Sequence, residues 1–213
     1  MRAIVAKFPK CLKHMISTIV YDVDQTVLNS QRYNFSSTFT KEMGIPADAM
    51  TPFFKGVFRT STIGKTDVKE VILPFLKEWN WKGTVDELLA YWFAAENSID
   101  TELIEHVRGL RRKGLRCFLA TDNERRRTEY LWNTLGLTSE FDDIFSSSHV
   151  GFTKGEEGFW SHVWEKLGRK EKQSILFWDD DKNNVETAQK FGFLAEHYTD
   201  FSAYKERMTQ LCV

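Results

Sequence analysis

Residues 16–26 read ISTIVYDVDQT, a run that begins as a buried strand and ends as a reactive loop. From Ile16 to Tyr21 the residues are mostly β-branched or apolar, no proline interrupts them, and the run stops on two acids, Asp22 and Asp24. A short, continuous apolar run closed by polar residues is the pattern of a strand covered on both faces. In open α/β sheets, ligands gather where such strands end.

Downstream the pattern repeats in alternation with helices. After Asp100, Leu103, Ile104, Val107 and Leu110 recur at helical spacing until Gly114, and LRCFLATDN (residues 115–123) follows as a strand with a polar tip. A helix around Glu124 to Leu135 leads to the short strand DDIFSS (142–147). A helix around Glu157 to Leu167 leads to SILFWDDD (174–181), and a further helix ends before GFLAEHYT (192–199). Strands separated by helices require crossover connections, and hence a parallel sheet.

Residues 30–98 break this alternation. Val85, Leu88, Leu89, Trp92 and Phe93 fall on one helical face, Thr84 with Glu87 forms a capping box, and Pro52, Gly56 and Gly64 read as turns. The expected fold is α/β, with a Rossmann-like parallel-sheet core in two segments, 16–29 and 99–213. A helical cap, 30–98, is inserted between them, and residues 1–15 form an N-terminal extension.

Composition narrows the function. The chain has 213 residues, 42% hydrophobic, with a net charge of −1, so no overall positive field recruits nucleic acid or an anionic membrane. No apolar run approaches the length of a membrane span. Cys11, Cys117 and Cys212 are widely spaced and read as reduced thiols. A cytoplasmic enzyme acting on a small molecule is expected, with the basic opening MRAIVAKFPKCLKHM also compatible with organelle targeting.

Three expected strands end in groups suited to phosphoryl transfer: Asp22 and Asp24, then Thr121, then Asp179 and Asp180. Carboxylates crowded at one sheet edge repel one another, and a hard divalent cation with oxygen ligands, Mg²⁺, is the simplest compensation. Asp22 and Asp24 are placed to divide the work of nucleophile and proton donor. The Thr121 hydroxyl and the backbone amide of Asp122 can hold a phosphoryl oxygen, and Lys154 can neutralise charge that the cation leaves.

DVDQT after an apolar strand, LAT, a lone lysine and FWDDDKNNVETA, in that order, resemble the haloacid dehalogenase-like hydrolases. The resemblance spans nearly the whole chain from Ile16. It implies Asp22 as nucleophile, Asp24 as general acid and base, and Thr121 and Lys154 as phosphate contacts. It further implies Mg²⁺ on Asp22, the backbone carbonyl of Asp24 and Asp180 with help from Asp179, while Asn184 orients the acidic loop. Dehalogenating members carry a different residue where Asp24 stands, so the implied reaction is hydrolysis of a small phosphorylated metabolite. Gln25 stands where a glycine is usual, and Gly155 follows Lys154 where a proline is common. The first departure predicts a tighter turn and the second a freer loop.

Each feature also has a plainer reading. DVDQT alone equally describes a solvated loop with an aspartate capping a helix. Asp181 is assigned that capping duty within DDD. Trp79, Trp81 and Trp92 read as core rather than as a substrate pocket. Among Arg32, Lys55, Arg59 and Lys65, Arg59 and Lys65 flank the turn-like STIG (61–64) and are the candidate cap contacts to substrate, although a solvated basic face describes any one of them. The histidines show no ligand spacing. A sugar phosphomutase, a catalytically silent binding protein and a signalling receiver domain remain as alternatives, the last disfavoured by the order of its motifs.

Overall fold

The computed structural model describes residues 16–29 and 35–213. The expected extension, with Cys11, and the cap residue Arg32 lie outside the described residues. Strand β1 (Thr18–Asp22) is followed by helices α1 (Phe35–Met43), α2 (Phe58–Thr62), α3 (Val68–Ile72), α4 (Val85–Ala95) and α5 (Thr101–Arg112). The alternating part then runs β2 (Arg116–Thr121), α6 (Arg125–Glu129), β3 (Ile144–Ser146), α7 (Ser147–Val150), α8 (Glu157–Lys166), β4 (Ile175–Asp179), α9 (Lys182–Phe191), β5 (Leu194–His197) and α10 (Phe201–Gln210).

The five strands form one sheet in the order β3-β2-β1-β4-β5, and every pairing is parallel. Strand β1 is central, in register with β2 from Thr18↔Arg116 to Asp22↔Ala120 and with β4 from Thr18↔Ile175 to Tyr21↔Trp178. The C-terminal tips of β2, β1 and β4 therefore lie side by side.

The pleat of β1 sends alternate residues to opposite faces. Ile19 and Tyr21 join Leu103, Val107 and Leu110 of α5 and Tyr204 and Met208 of α10 in one core cluster. Val20 joins Phe159, Trp160 and Val163 of α8 and Val185 and Ala188 of α9 in the other. Helices thus cover both faces, which explains why β1 carries no polar alternation.

A third cluster lies among the helices between β1 and α5, where Phe35, Phe39, Phe53, Trp79, Leu88, Trp92 and Phe93 pack together. Helix α4 begins with the expected capping box, Thr84 and Glu87 each bonding the other's backbone N–H. Trp79 and Trp92 are buried in this cluster, with Trp81 packed against it.

Pro52 and Gly56 are not turns. Residues 51–62 are helical, with a wider turn at Phe53–Val57 and a local distortion at Gly56. Pro52 falls in the first helical turn, where its missing N–H has no intrahelical partner to lose. Gly64 is the true turn, with φ +71°, and a Cβ there would meet the carbonyl oxygen of Ser148 at 2.1 Å. A neighbouring bond from Ser147 Oγ to the Thr62 carbonyl, 2.5 Å, joins the same two segments. Gly64→Ala is expected to cost about 1–3 kcal/mol through backbone strain and overpacking. A urea midpoint equal to that of the wild type would show that the two segments part without cost.

Two arginines of the segment after β2 fasten the helical cluster to the sheet. The Arg126 guanidinium pairs with Asp67, the N-cap of α3, and this bond holds the Asp67 carboxyl down at about 2. Arg127, buried, donates to the carbonyls of Phe93 (2.9 Å) and Glu96. A cation bonded to the last carbonyls of α4 satisfies acceptors that a helix end leaves open.

Candidate active site

The reactive groups sit where buried strands reach the sheet edge. Asp22 ends β1 at 3% exposure, Asp179 ends β4 and Thr121 ends β2, the last two fully buried. Beyond Asp22 the chain folds back at once: Leu28 N–H bonds the Val23 carbonyl at 2.8 Å. Gln25 adopts φ +64°, a left-handed conformation that costs an L-residue roughly 1–2 kcal/mol and that glycine would reach freely. The turn brings Asp24 to the same cavity as Asp22.

That cavity, about 240 Å³, is lined by Asp22, Asp24, Gln25, Asp122, Lys154, Asp179, Asp180, Asp181 and Asn184. Lys154, 4% exposed, pairs with Asp22 Oδ1 and with Asp179 Oδ2 at 2.7 Å. Burial pushes the Asp22 carboxyl well above the usual carboxylate range, and the Lys154 charge opposes that rise. Burial alone would lower the Lys154 ammonium, but Asp22 and then Asp179 outweigh it and hold it protonated well above its usual range.

The loop carrying Lys154 is tied at several points. Its backbone N–H donates to Asp122 Oδ1 (2.9 Å), its carbonyl accepts from Trp160 Nε1 (2.8 Å), and Thr153 bonds Glu156 through both N–H and hydroxyl at 2.8 Å. A Cβ at Gly155 would lie 3.8 Å from its nearest neighbours, so space does not require glycine there. The freedom expected of Gly155 is offset by these bonds. The Asp122 carboxyl lines the cavity, and burial raises it above the usual carboxylate range.

On the far wall, Asn184 Nδ2 donates to both oxygens of Asp179 at 3.3 and 3.2 Å, and the Asp181 N–H donates to Asp179 Oδ1 at 2.8 Å. Asp181 itself caps α9, accepting from the Asn183 N–H as expected. Asp180 is half-buried, and burial together with the neighbouring Asp179 raises its carboxyl. Asp22, Asp179 and Asp180 each offer an oxygen, all within 4.8 Å of one another.

Thr121 does not line the cavity directly. It meets the site through Asn123, whose Nδ2 donates to Thr121 Oγ1 (2.7 Å) and to Asp24 Oδ2 (2.6 Å). Arg59 is exposed on α2 and does not line the acidic cavity, and Lys65 lines a separate cleft of about 400 Å³ with Asp67, Glu124 and Arg126. Asn123 and His197 escaped the sequence reading. His197 Nε2 lies 2.9 Å from the Asp180 carbonyl, and its only sequence signal was its place at the tip of the last strand. Asn123 stood in the polar tip ATDN without a spacing that assigned it a task.

The profile of the haloacid dehalogenase-like hydrolases matches residues 16–192. Among curated proteins, a sesquiterpene phosphatase of Aspergillus oryzae, astK, is 28% identical over 118 residues, 53% of this chain and 57% of that one. The match therefore spans little more than half of that relative's length. Three solved structures share the fold. A predicted HAD-like hydrolase from Porphyromonas gingivalis superposes with a TM-score of 0.73 at 23% identity, covering 93% of this chain and 98% of that one. A HAD family enzyme of Bacteroides thetaiotaomicron, in complex with magnesium and inorganic phosphate, gives 0.74 at 17% identity over 89% and 98%. The L-2-haloacid dehalogenase of Xanthobacter autotrophicus gives 0.63 at 17% over 92% and 83%. With the parallel sheet, the acidic strand tips and a family match across most of its length, this chain belongs to the haloacid dehalogenase-like hydrolases.

Proposed function

We propose that the protein hydrolyses a small phosphomonoester with Mg²⁺, through an aspartyl-phosphate on Asp22. The observation that carries this reading is the meeting of Asp22, Asp179 and Asp180 oxygens within 4.8 Å, with the Lys154 ammonium between Asp22 and Asp179. The donors are all hard oxygens, without thiol or imidazole among them, and that set fits Mg²⁺. Asp22, the Asp24 carbonyl and Asp180 would hold the ion. Asp179, whose oxygens already accept from Lys154, Asn184 and the Asp181 amide, chiefly orients the others. When bound, the ion neutralises phosphoryl charge and keeps Asp22 ionised.

The remaining steps belong to side chains. Asp22 attacks phosphorus and the bond to the ester oxygen breaks, leaving its electron pair on that oxygen, which takes a proton from Asp24. Water then attacks phospho-Asp22 and gives its proton to the Asp24 carboxylate, so phosphate leaves and both acids are restored. Lys154 and Thr121 offset charge on the phosphoryl oxygens. The presence of Asp24 supports phosphate-ester rather than carbon–halogen cleavage, and the name of the fungal relative agrees.

The helical cluster between residues 35 and 98 is proposed as a lid that keeps bulk water from the phosphoryl group. Lys65, which borders the cleft between that cluster and α6, is better placed than Arg59 to meet a substrate. The test is release of inorganic phosphate from a panel of small phosphomonoesters by chelator-stripped protein, before and after Mg²⁺ is restored. Turnover that rises at least about 100-fold with the ion is expected. Release indifferent to chelation would sink the metal assignment, and an isomeric sugar phosphate in place of free phosphate would make the protein a mutase.

A further inference from the structure

Asn123 makes two bonds at once, and each restricts a group that the proposed reaction uses. Its Nδ2 lies 2.6 Å from Asp24 Oδ2 and 2.7 Å from Thr121 Oγ1. A carboxyl oxygen without a proton only accepts, so the amide nitrogen must face Asp24 and send one hydrogen to each partner. The Asn123 backbone is itself fixed, because Ser146 Oγ, at the tip of β3, donates to its carbonyl at 2.8 Å and lies 2.9 Å from Thr128 Oγ1. The side-chain amide is therefore held by Asp24 and by the end of β2, and the backbone behind it by the end of β3.

We infer that Asn123 is a positioning residue for proton transfer: it occupies Asp24 Oδ2, so that the leaving-group proton is carried on Oδ1 and turned toward the ester oxygen. With Oδ2 accepting from the amide, the protonated form of Asp24 keeps its hydrogen on the other oxygen. When the phosphorus–oxygen bond breaks, that hydrogen passes to the departing alkoxide and Asp24 is left as a carboxylate. The second amide hydrogen fills a lone pair of Thr121 Oγ1, so the threonine's own hydrogen is left for another acceptor. Both consequences follow from one side chain whose hydrogens are already committed.

The inference rests on the phosphatase reading, and the experiment separates the two. Wild type and Asn123→Ala are assayed with Mg²⁺ on an alkyl phosphate and on acetyl phosphate, whose leaving acetate needs no proton. In single turnover, which isolates transfer to Asp22 from the later hydrolysis that Asp24 also serves, Asn123→Ala should lose about 10- to 100-fold in release of the alcohol from the alkyl phosphate, a part of what a general acid contributes. Its loss in release of acetate from acetyl phosphate should stay within about threefold, since that step takes no proton from Asp24 and only the Thr121 contact is affected. The ratio of the two rates is taken in one preparation, so a fraction of unfolded protein cancels from it. Asn123→Gln, which retains an amide donor, should move that ratio back toward the wild-type value. Equal losses on the two substrates, or none on either, would overturn the inference while leaving the phosphatase reading intact. A wild type inert on both would remove that reading and this one together.

Discussion

Asp22→Asn is expected to lower phosphate release by a factor on the order of 10⁴ or more, because an amide cannot form the covalent intermediate. The same change should leave the fold standing. Lys154 keeps its bond to Asp179 at 2.7 Å, and one buried carboxyl whose ionisation burial opposes is removed. The thermal midpoint of the metal-free variant should therefore lie within about 5 °C of the wild type. Phosphate release measured beside a melting curve distinguishes loss of chemistry from loss of structure. Turnover within tenfold of the wild type would transfer the nucleophile's role to another group.

Lys154→Met should damage both. It leaves Asp22 and Asp179, both buried, facing each other without a countercharge, and removal of one partner from a buried ion cluster costs about 3–5 kcal/mol. For a chain of this size that corresponds to a fall of about 6–20 °C in the midpoint without metal. Added Mg²⁺ should recover part of the loss, since an ion that binds only the folded cluster stabilises it. The deficit should also shrink as pH falls toward about 4, the ordinary carboxyl range. Burial raises the folded Asp22 above its unfolded value, so the folded state takes up the proton first and gains stability as pH falls. Turnover should drop about 100-fold or more from the lost phosphoryl contact. A metal-free midpoint equal to that of the wild type would mean that the carboxyls do not depend on the lysine charge.

The fold was legible where local chemistry and tertiary environment agree. The apolar run before Asp22 could be read as a buried strand because both of its faces are covered, and the capping box at Thr84 announces α4 without any help from packing. Pro52 and Gly56 misled because their usual meaning is punctuation, whereas here the first sits in an initial helical turn and the second at a distortion the surrounding helix tolerates. The acids of the site could be read because each stands at a strand tip. Asn123, His197 and Arg127 could not, since each works through a partner far away in the chain: Asp24, the Asp180 carbonyl, and the end of α4. Spacing within a segment carries no trace of such pairings.

The register of the central strand also bears on how the molecule is made. Thr18 must find Arg116 on one side and Ile175 on the other, while the aromatic helices between residues 35 and 95 can pack with one another from within their own stretch of chain. Contacts close in sequence form early, and those that close long loops form late. During synthesis the helices between residues 35 and 95 can therefore collapse while β1 still lacks both neighbours, one of its edges staying open until residue 121 is made and the other until residue 179. Of the strands in the sheet, the one that emerges first waits through the longest stretch of chain for its neighbours, and Asp22 at its tip meets Asp179 only when the second of them arrives.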